Sequence, residues 1–193
     1  MIEAAIQLFQ TQGVQATSLE EICEQADVAV RTFFNHFETR EHLHEAIAHE
    51  RAVQLAALLD RWSRGPNPFA GRLQELFSAI GAYLEERPVY REFVGEMLHL
   101  RPARGNEAVR SGILGQAARR FVADAAARGE VTLAHSPEVL ADLMLGAITT
   151  AISNWSASSD YDLVRGLEEA SHALIDLFVP TDTAPPRGGR PNG

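Results

Sequence analysis

The sequence has no lysine, a single cysteine and no long apolar run, and each shortage excludes something. All 17 basic residues are arginines, against 26 acids, for a net charge of −9. A balance this acidic argues against a protein held to nucleic acid or to an anionic surface by bulk charge. Cys23 alone cannot close an internal disulfide and agrees with a reducing compartment. No apolar stretch is long enough to span a bilayer, and no basic-then-apolar leader opens the chain. A cytoplasmic protein with no membrane partner is therefore expected. Nothing alternates with the period of a strand.

What is present is helical periodicity along 193 residues, of which 46% are hydrophobic, enough to bury a substantial core. Ile2, Ala5, Leu8 and Phe9 form the stripe of a first helix that stops near Gly13. Ser18-Leu19-Glu20-Glu21 reads as a capping box opening a short second helix, with Leu19, Ile22, Cys23 and Ala26 as its buried side. A tight turn at Asp27-Val28-Ala29 leads to a third helix from Val30 to His36, and Thr39 opens a long fourth helix to about Ser63. Arg64-Gly65-Pro66-Asn67-Pro68 is the clearest breaker. Further helices are predicted at roughly 69–86, 89–100, 106–128, 137–156 and 162–178, with Gly129 at a C′ position and Ser136-Pro137 as an N-terminus. The fold class is all-α with about nine helices. It divides into an N-terminal three-helix unit at 1–45, a helical body at 46–179 and a disordered Pro- and Gly-rich tail at 180–193.

Residues 18–37 have the layout of a helix-turn-helix: a short scaffold helix, a tight turn and a second helix able to lie in a DNA groove. Val28, Phe33 and Phe37 are spaced to face inward, which leaves Val30, Arg31, Thr32 and Asn35 outward. Arg can bond bidentately to guanine and Asn to adenine, and a Thr hydroxyl can take a phosphate or a base edge. Charge opposes this reading. Residues 1–45 hold two arginines against eight acids, and two minus eight leaves −6. The ordered motif outweighs the charge because it fixes residue types at a dozen positions.

From Ile2 and Leu8-Phe9 to Gly13, through Thr17-Ser18-Leu19, Ile22, Ala26-Asp27-Val28 and Thr32-Phe33-Phe34-x-His36-Phe37, to Thr39-Arg40-Glu41-x-Leu43, the chain resembles the tetracycline-repressor (TetR) family. The resemblance implies a DNA-facing set of Thr17, Ser18, Val30, Arg31, Thr32, Phe34, Asn35, His36 and Arg40, the last near a phosphate. It also implies an effector pocket in the middle helices, homodimerisation through the last two, and a pseudo-palindromic double-stranded operator. Three positions depart from the family pattern: Asp27 stands for a glycine, Ala29 for a capping serine and Phe34 for a tyrosine. Family members carry a basic segment upstream of the first helix, so a late start or a cut chain is expected here.

Tyr83, Phe93, Met97, Leu100, Phe121 and Trp155 are plain core candidates that could together line an apolar aromatic cavity for a small-molecule effector. His99, Asn154 and Arg119 are candidate polar anchors. Leu140, Met144, Ala147, Ile148 and Ala151 make one stripe, and Leu167, Ala170, Leu174 and Phe178 another, suited to a four-helix dimer bundle. No nucleophile–base pair, phosphate loop or zinc spacing appears, so a non-enzymatic protein without cofactor is expected. The reading is a regulator, most simply a repressor released from its operator by a small apolar molecule. Two alternatives stay open: a helical binding protein that has lost DNA recognition, and a di-metal bundle enzyme built on Glu41/His44 and Glu96/His99.

Overall fold

A computed structural model describes residues 1–87, 89–93, 112–132 and 134–180. Met97, Leu100, His99, the Glu96/His99 pair and the tail from 181 onward lie outside the described residues. Every regular element among those described is helical. Helix α1 spans Ile2–Gln12, α2 Leu19–Gln25, α3 Val30–His36, α4 Arg40–Ser63 and α5 Phe69–Glu85. Residues 89–93 form a short helical stretch. Then come α6 Ile113–Ala127, α7 Pro137–Ala157 and α8 Leu163–Phe178.

Local chemistry sets these ends. The α2 capping box is complete: Ser18 Oγ accepts the Glu21 amide at 3.2 Å while the Glu21 carboxylate accepts the Ser18 amide at 2.7 Å. Ser136 caps α7 with proline following at its first position. After α6, Gly129 adopts φ 72°, and the Glu130 and Gly129 amides return to the carbonyls of Ala125 and Ala126 at 3.0 Å each. That pair of bonds is a Schellman closure, which only a left-handed residue at this place allows.

The core runs unbroken from α1 through α4 to α8. Helix α4, roughly 36 Å long at 1.5 Å per residue, joins the N-terminal unit to the body, packing on α6; α6 packs on α7, and α8 on α5 and α7. Its C-terminal carbonyls are held by arginines: Arg72 and Arg128 donate to Ser63 O at 2.6 and 2.9 Å. Arg72 is fully buried and also pairs with Glu130.

Candidate functional site

The helix-turn-helix is formed as the spacing predicts. Asp27 is the one described non-glycine residue with positive φ, at 52°, in the turn between α2 and α3. A short polar side chain tolerates this conformation better than most, at a cost of roughly 1 kcal/mol. Ala29 sits at the N-cap of α3 without a side-chain cap. Phe33 is buried at 0% exposure and its ring meets Phe37 at 5.3 Å, fastening α3 to the core from inside.

The opposite side of α3 is open. Val30 is 37% and Phe34 51% exposed, Arg31, Asn35 and His36 are exposed, and Thr32 is half-buried. Positions 30, 31, 34 and 35 share one face by helical spacing. No acid lies within Val30–His36, so the acidity of the N-terminal unit sits on its other segments.

Two residues of the expected DNA-facing set are placed differently. Thr17 is buried, and its hydroxyl donates to Gly13 O at 2.7 Å. The Arg40 guanidinium turns inward, donating to Thr17 O at 2.7 Å and to Val14 O. Both satisfy the carbonyls of the α1–α2 loop, Thr17 from a buried position and Arg40 from a half-buried one. The Ser18 hydroxyl is committed to the α2 cap.

The same loop is held from the other side. Both carboxylate oxygens of Glu92 accept its amides, from Val14 at 3.1 Å and from Gln15 at 2.9 Å. Next to Glu92, Phe93 packs among Phe9 of α1 and His44 of α4, with ring centroids 6.4 and 5.6 Å away. The 89–93 stretch of the body is thus clamped to the N-terminal unit. His44 is an element of this aromatic contact. Among the described residues, no three His, Cys, Asp or Glu side chains gather as a metal site.

The aromatic residues expected to line one pocket go to separate places. Phe93 faces the N-terminal unit. Phe121 is buried between the Phe69 ring at 5.4 Å and the Arg72 guanidinium at 5.6 Å. Trp155 lies under Arg91 at 4.9 Å. Tyr83 is 39% exposed, stacked by Arg87 at 4.2 Å, and its hydroxyl is 3.3 Å from that of Tyr90. Burial first, then the Tyr83 hydrogen bond, pushes the Tyr90 phenol up to about 12 against the pull of Arg51 and Arg87. Tyr90, Arg51, Arg87, Arg91 and Glu92 were not among the predicted site residues. The available signal was charge spacing: none of the three arginines has an acid three or four residues away.

The expected dimer stripes are corrected in the same way. Leu140, Met144, Ile148, Ala151, Leu167, Leu174 and Phe178 are buried within the protomer. The outer face carries instead Val139 at 48% and Leu143 at 44% on α7, followed by Gly146, half-buried Ala147 and Thr150. On α8 it carries Gly166, half-buried Ala170, Ala173 and Leu177 at 49%. Between these two outer stripes runs an open groove of about 450 Å³. The larger apolar residues went to the core because a single protomer has to bury its own α7 and α8 first.

This arrangement defines a class: an all-helical protein with an N-terminal helix-turn-helix whose second helix is presented outward from a larger helical body. Residues 1–47 match the family described as bacterial regulatory proteins, tetR family. By sequence this match covers the N-terminal unit; over the rest of the chain the likeness is one of fold alone. The fold is similar to that of SmeT, the repressor of the Stenotrophomonas maltophilia multidrug efflux pump SmeDEF, with 18% identity, 100% of this chain and 95% of that one covered, and a TM-score of 0.73. It is equally similar to Thermus thermophilus FadR, a TetR-family repressor solved with lauroyl-CoA, at 22% identity, 97% of each chain and a TM-score of 0.73. Bacillus subtilis FadR, solved with stearoyl-CoA, follows at 17% identity, 90% of this chain, 95% of that chain and a TM-score of 0.70. No curated protein matches the chain by sequence. No described helix is long and apolar enough to cross a membrane.

Proposed function

We propose that the protein is a ligand-responsive transcriptional regulator that binds a pseudo-palindromic operator as a homodimer and leaves it when a small molecule enters the helical body. The observation that carries this reading is α3. It is locked from behind by Phe33 and presents Val30, Arg31, Phe34 and Asn35 on one open face free of acids. Arg31 and Asn35 are the side chains able to read guanine and adenine edges, while Val30 and Phe34 suit thymine methyls. Thr32 and His36 flank them as phosphate contacts; Thr17, Ser18 and Arg40 hold the frame.

A second copy docks on the outer stripes of α7 and α8, whose small residues permit close helix approach and whose larger ones close the ends. Two α3 helices then fall about one DNA turn apart. The similar structures of SmeT with triclosan and of the FadR proteins with acyl-CoA support an effector with a large apolar part. Effector binding shifts the population toward a state in which the 89–93 stretch, through Glu92 and Phe93, carries α1 and α4 out of register. Coupling of this kind is typically worth ~1–3 kcal/mol and is reciprocal.

The acidic N-terminal unit favours one rival, a helical protein that no longer binds DNA. Binding of the full chain to DNA from upstream of its own gene, measured at several salt concentrations, separates the two. A regulator gives a retarded complex on one fragment that outcompetes random DNA and weakens with salt. Equal, weak binding to every fragment supports the rival.

A further inference from the structure

Resting on the reading of the body as an effector-binding domain, we propose that the effector is an organic anion with an apolar body. Its head is taken by Arg51 and Arg91 at a cluster completed by Tyr83, Arg87, Tyr90 and Trp155. In a chain of net charge −9, this cluster holds three arginines, of which Arg87 is paired with Glu86 at 3.2 Å. Elsewhere Arg72 is matched by Glu130, Arg120 by Asp60 and Arg165 by Glu169, while Arg40 and Arg128 bond backbone carbonyls. Arg51 and Arg91 have no carboxylate partner among the described residues. Arg51 bonds only the neutral Gln54 side chain, at 2.6 Å, and its Nε is buried without a hydrogen-bond partner. Arg91 lays its face on the buried Trp155 ring, which leaves its N–H edges for a partner in the guanidinium plane.

The rest of the cluster suits the same occupant. The guanidiniums of Arg51 and Arg87 both act on the Tyr90 hydroxyl. The Tyr83 and Tyr90 hydroxyls bond each other at 3.3 Å, so one O–H of the pair remains to donate outward. A guanidinium withdrawn from water without a counter-charge is unfavourable, and a carboxylate or sulfonate bound bidentately offsets that cost. Exposed Tyr83 opens the cluster to solvent, while buried Tyr90 and Trp155 give it an aromatic floor for the apolar part. Arg91 and Glu92 are neighbours in the chain, so an anion drawing on Arg91 acts next to the clamp on the α1–α2 loop.

The test is titration of the full chain with 8-anilinonaphthalene-1-sulfonate and with N-phenyl-1-naphthylamine, the same body without the sulfonate. The sulfonate should bind about tenfold more tightly, the size of one charge-assisted contact. Arg51→Gln and Arg91→Gln should each lower that ratio several-fold, with folding checked by circular dichroism, whereas Arg120→Gln, remote from the cluster, should preserve it. Equal affinities for the two probes, or a ratio unchanged in both variants, overturns the anion claim while leaving a binding body in place. Binding of neither probe overturns the effector reading and the anion claim together. Operator binding on the same preparations reports on DNA recognition independently.

Discussion

The Glu92 carboxylate accepts the backbone amide of Gln15 at 2.9 Å, across 77 residues of sequence. With its second oxygen on the Val14 amide, it ties the loop before the helix-turn-helix to the body, at a place where Gly13 has φ 89° and a Cβ would come within 3.1 Å of the Glu92 side chain. Arg40 holds the carbonyls of the same loop, so amides and carbonyls are fixed by opposite charges from two different elements.

Glu92→Gln keeps the shape but leaves one acceptor for two donors. Operator affinity should then become nearly independent of effector, the coupling falling from ~1–3 kcal/mol toward zero. DNA titrations with and without effector measure this; an undiminished effector response would remove Glu92 from the pathway.

Ser18→Ala should cost ~1 kcal/mol by removing the α2 cap. The hydrogen bonds from the Ser18 backbone and side chain, and from Gln12, hold the Glu21 carboxyl below its ordinary value of 4.5. A depressed carboxyl contributes stability above its unfolded value and loses it as the pH falls through the folded one. Thermal melts of Ser18→Ala and the parent should therefore differ most at neutral pH and less in acid, where the Glu21 part of the box is lost while the Ser18 Oγ bond to the Glu21 amide remains. A difference that does not shrink in acid would mean that the Ser18 hydroxyl does not act through the Glu21 carboxylate.

Asp27→Gly relieves the left-handed turn and removes one negative charge from the N-terminal unit. Stability should rise by up to ~1 kcal/mol, and DNA affinity should rise for operator and random sequences alike. A destabilised variant would show that the Asp27 side chain supports the turn.

The two faces of α7 make opposite predictions. Leu143→Glu, on the outer stripe, should give a folded monomer in sedimentation. Met144→Ala, one residue on but fully buried, should leave the dimer's interface intact and cost ~2–5 kcal/mol of stability. If Leu143→Glu remains dimeric, the second copy docks elsewhere.

The N-terminal unit was legible in the sequence because its signals are local: the capping box at Ser18 and Glu21, the turn at Asp27, and the inward Phe33 are each readable within a few residues. The body was legible as helices and not as a site. Its aromatic residues declare burial without declaring a destination, so Phe93 and Phe121 could not be told apart. On α7 both faces are apolar, and hydropathy favoured the larger stripe of Leu140, Met144 and Ile148, which the core took. The contacts that organise the molecule, Glu92 with Val14 and Arg72 with Glu130, join residues 78 and 58 apart. No helical spacing connects residues at such separations. For Arg40 the sequence left the partner open, because a basic residue opening α4 suits either a phosphate or the two carbonyls that it bonds.

Whether α3 reads DNA is decided by the affinity of Arg31→Ala for its operator and for random DNA of equal length. A reading helix loses ~1–3 kcal/mol on the operator, confined to one base position in each half-site, with little change on random DNA. An equal loss on both would make Arg31 a phosphate contact, and no loss on either would contradict the assignment of α3 as the reading helix.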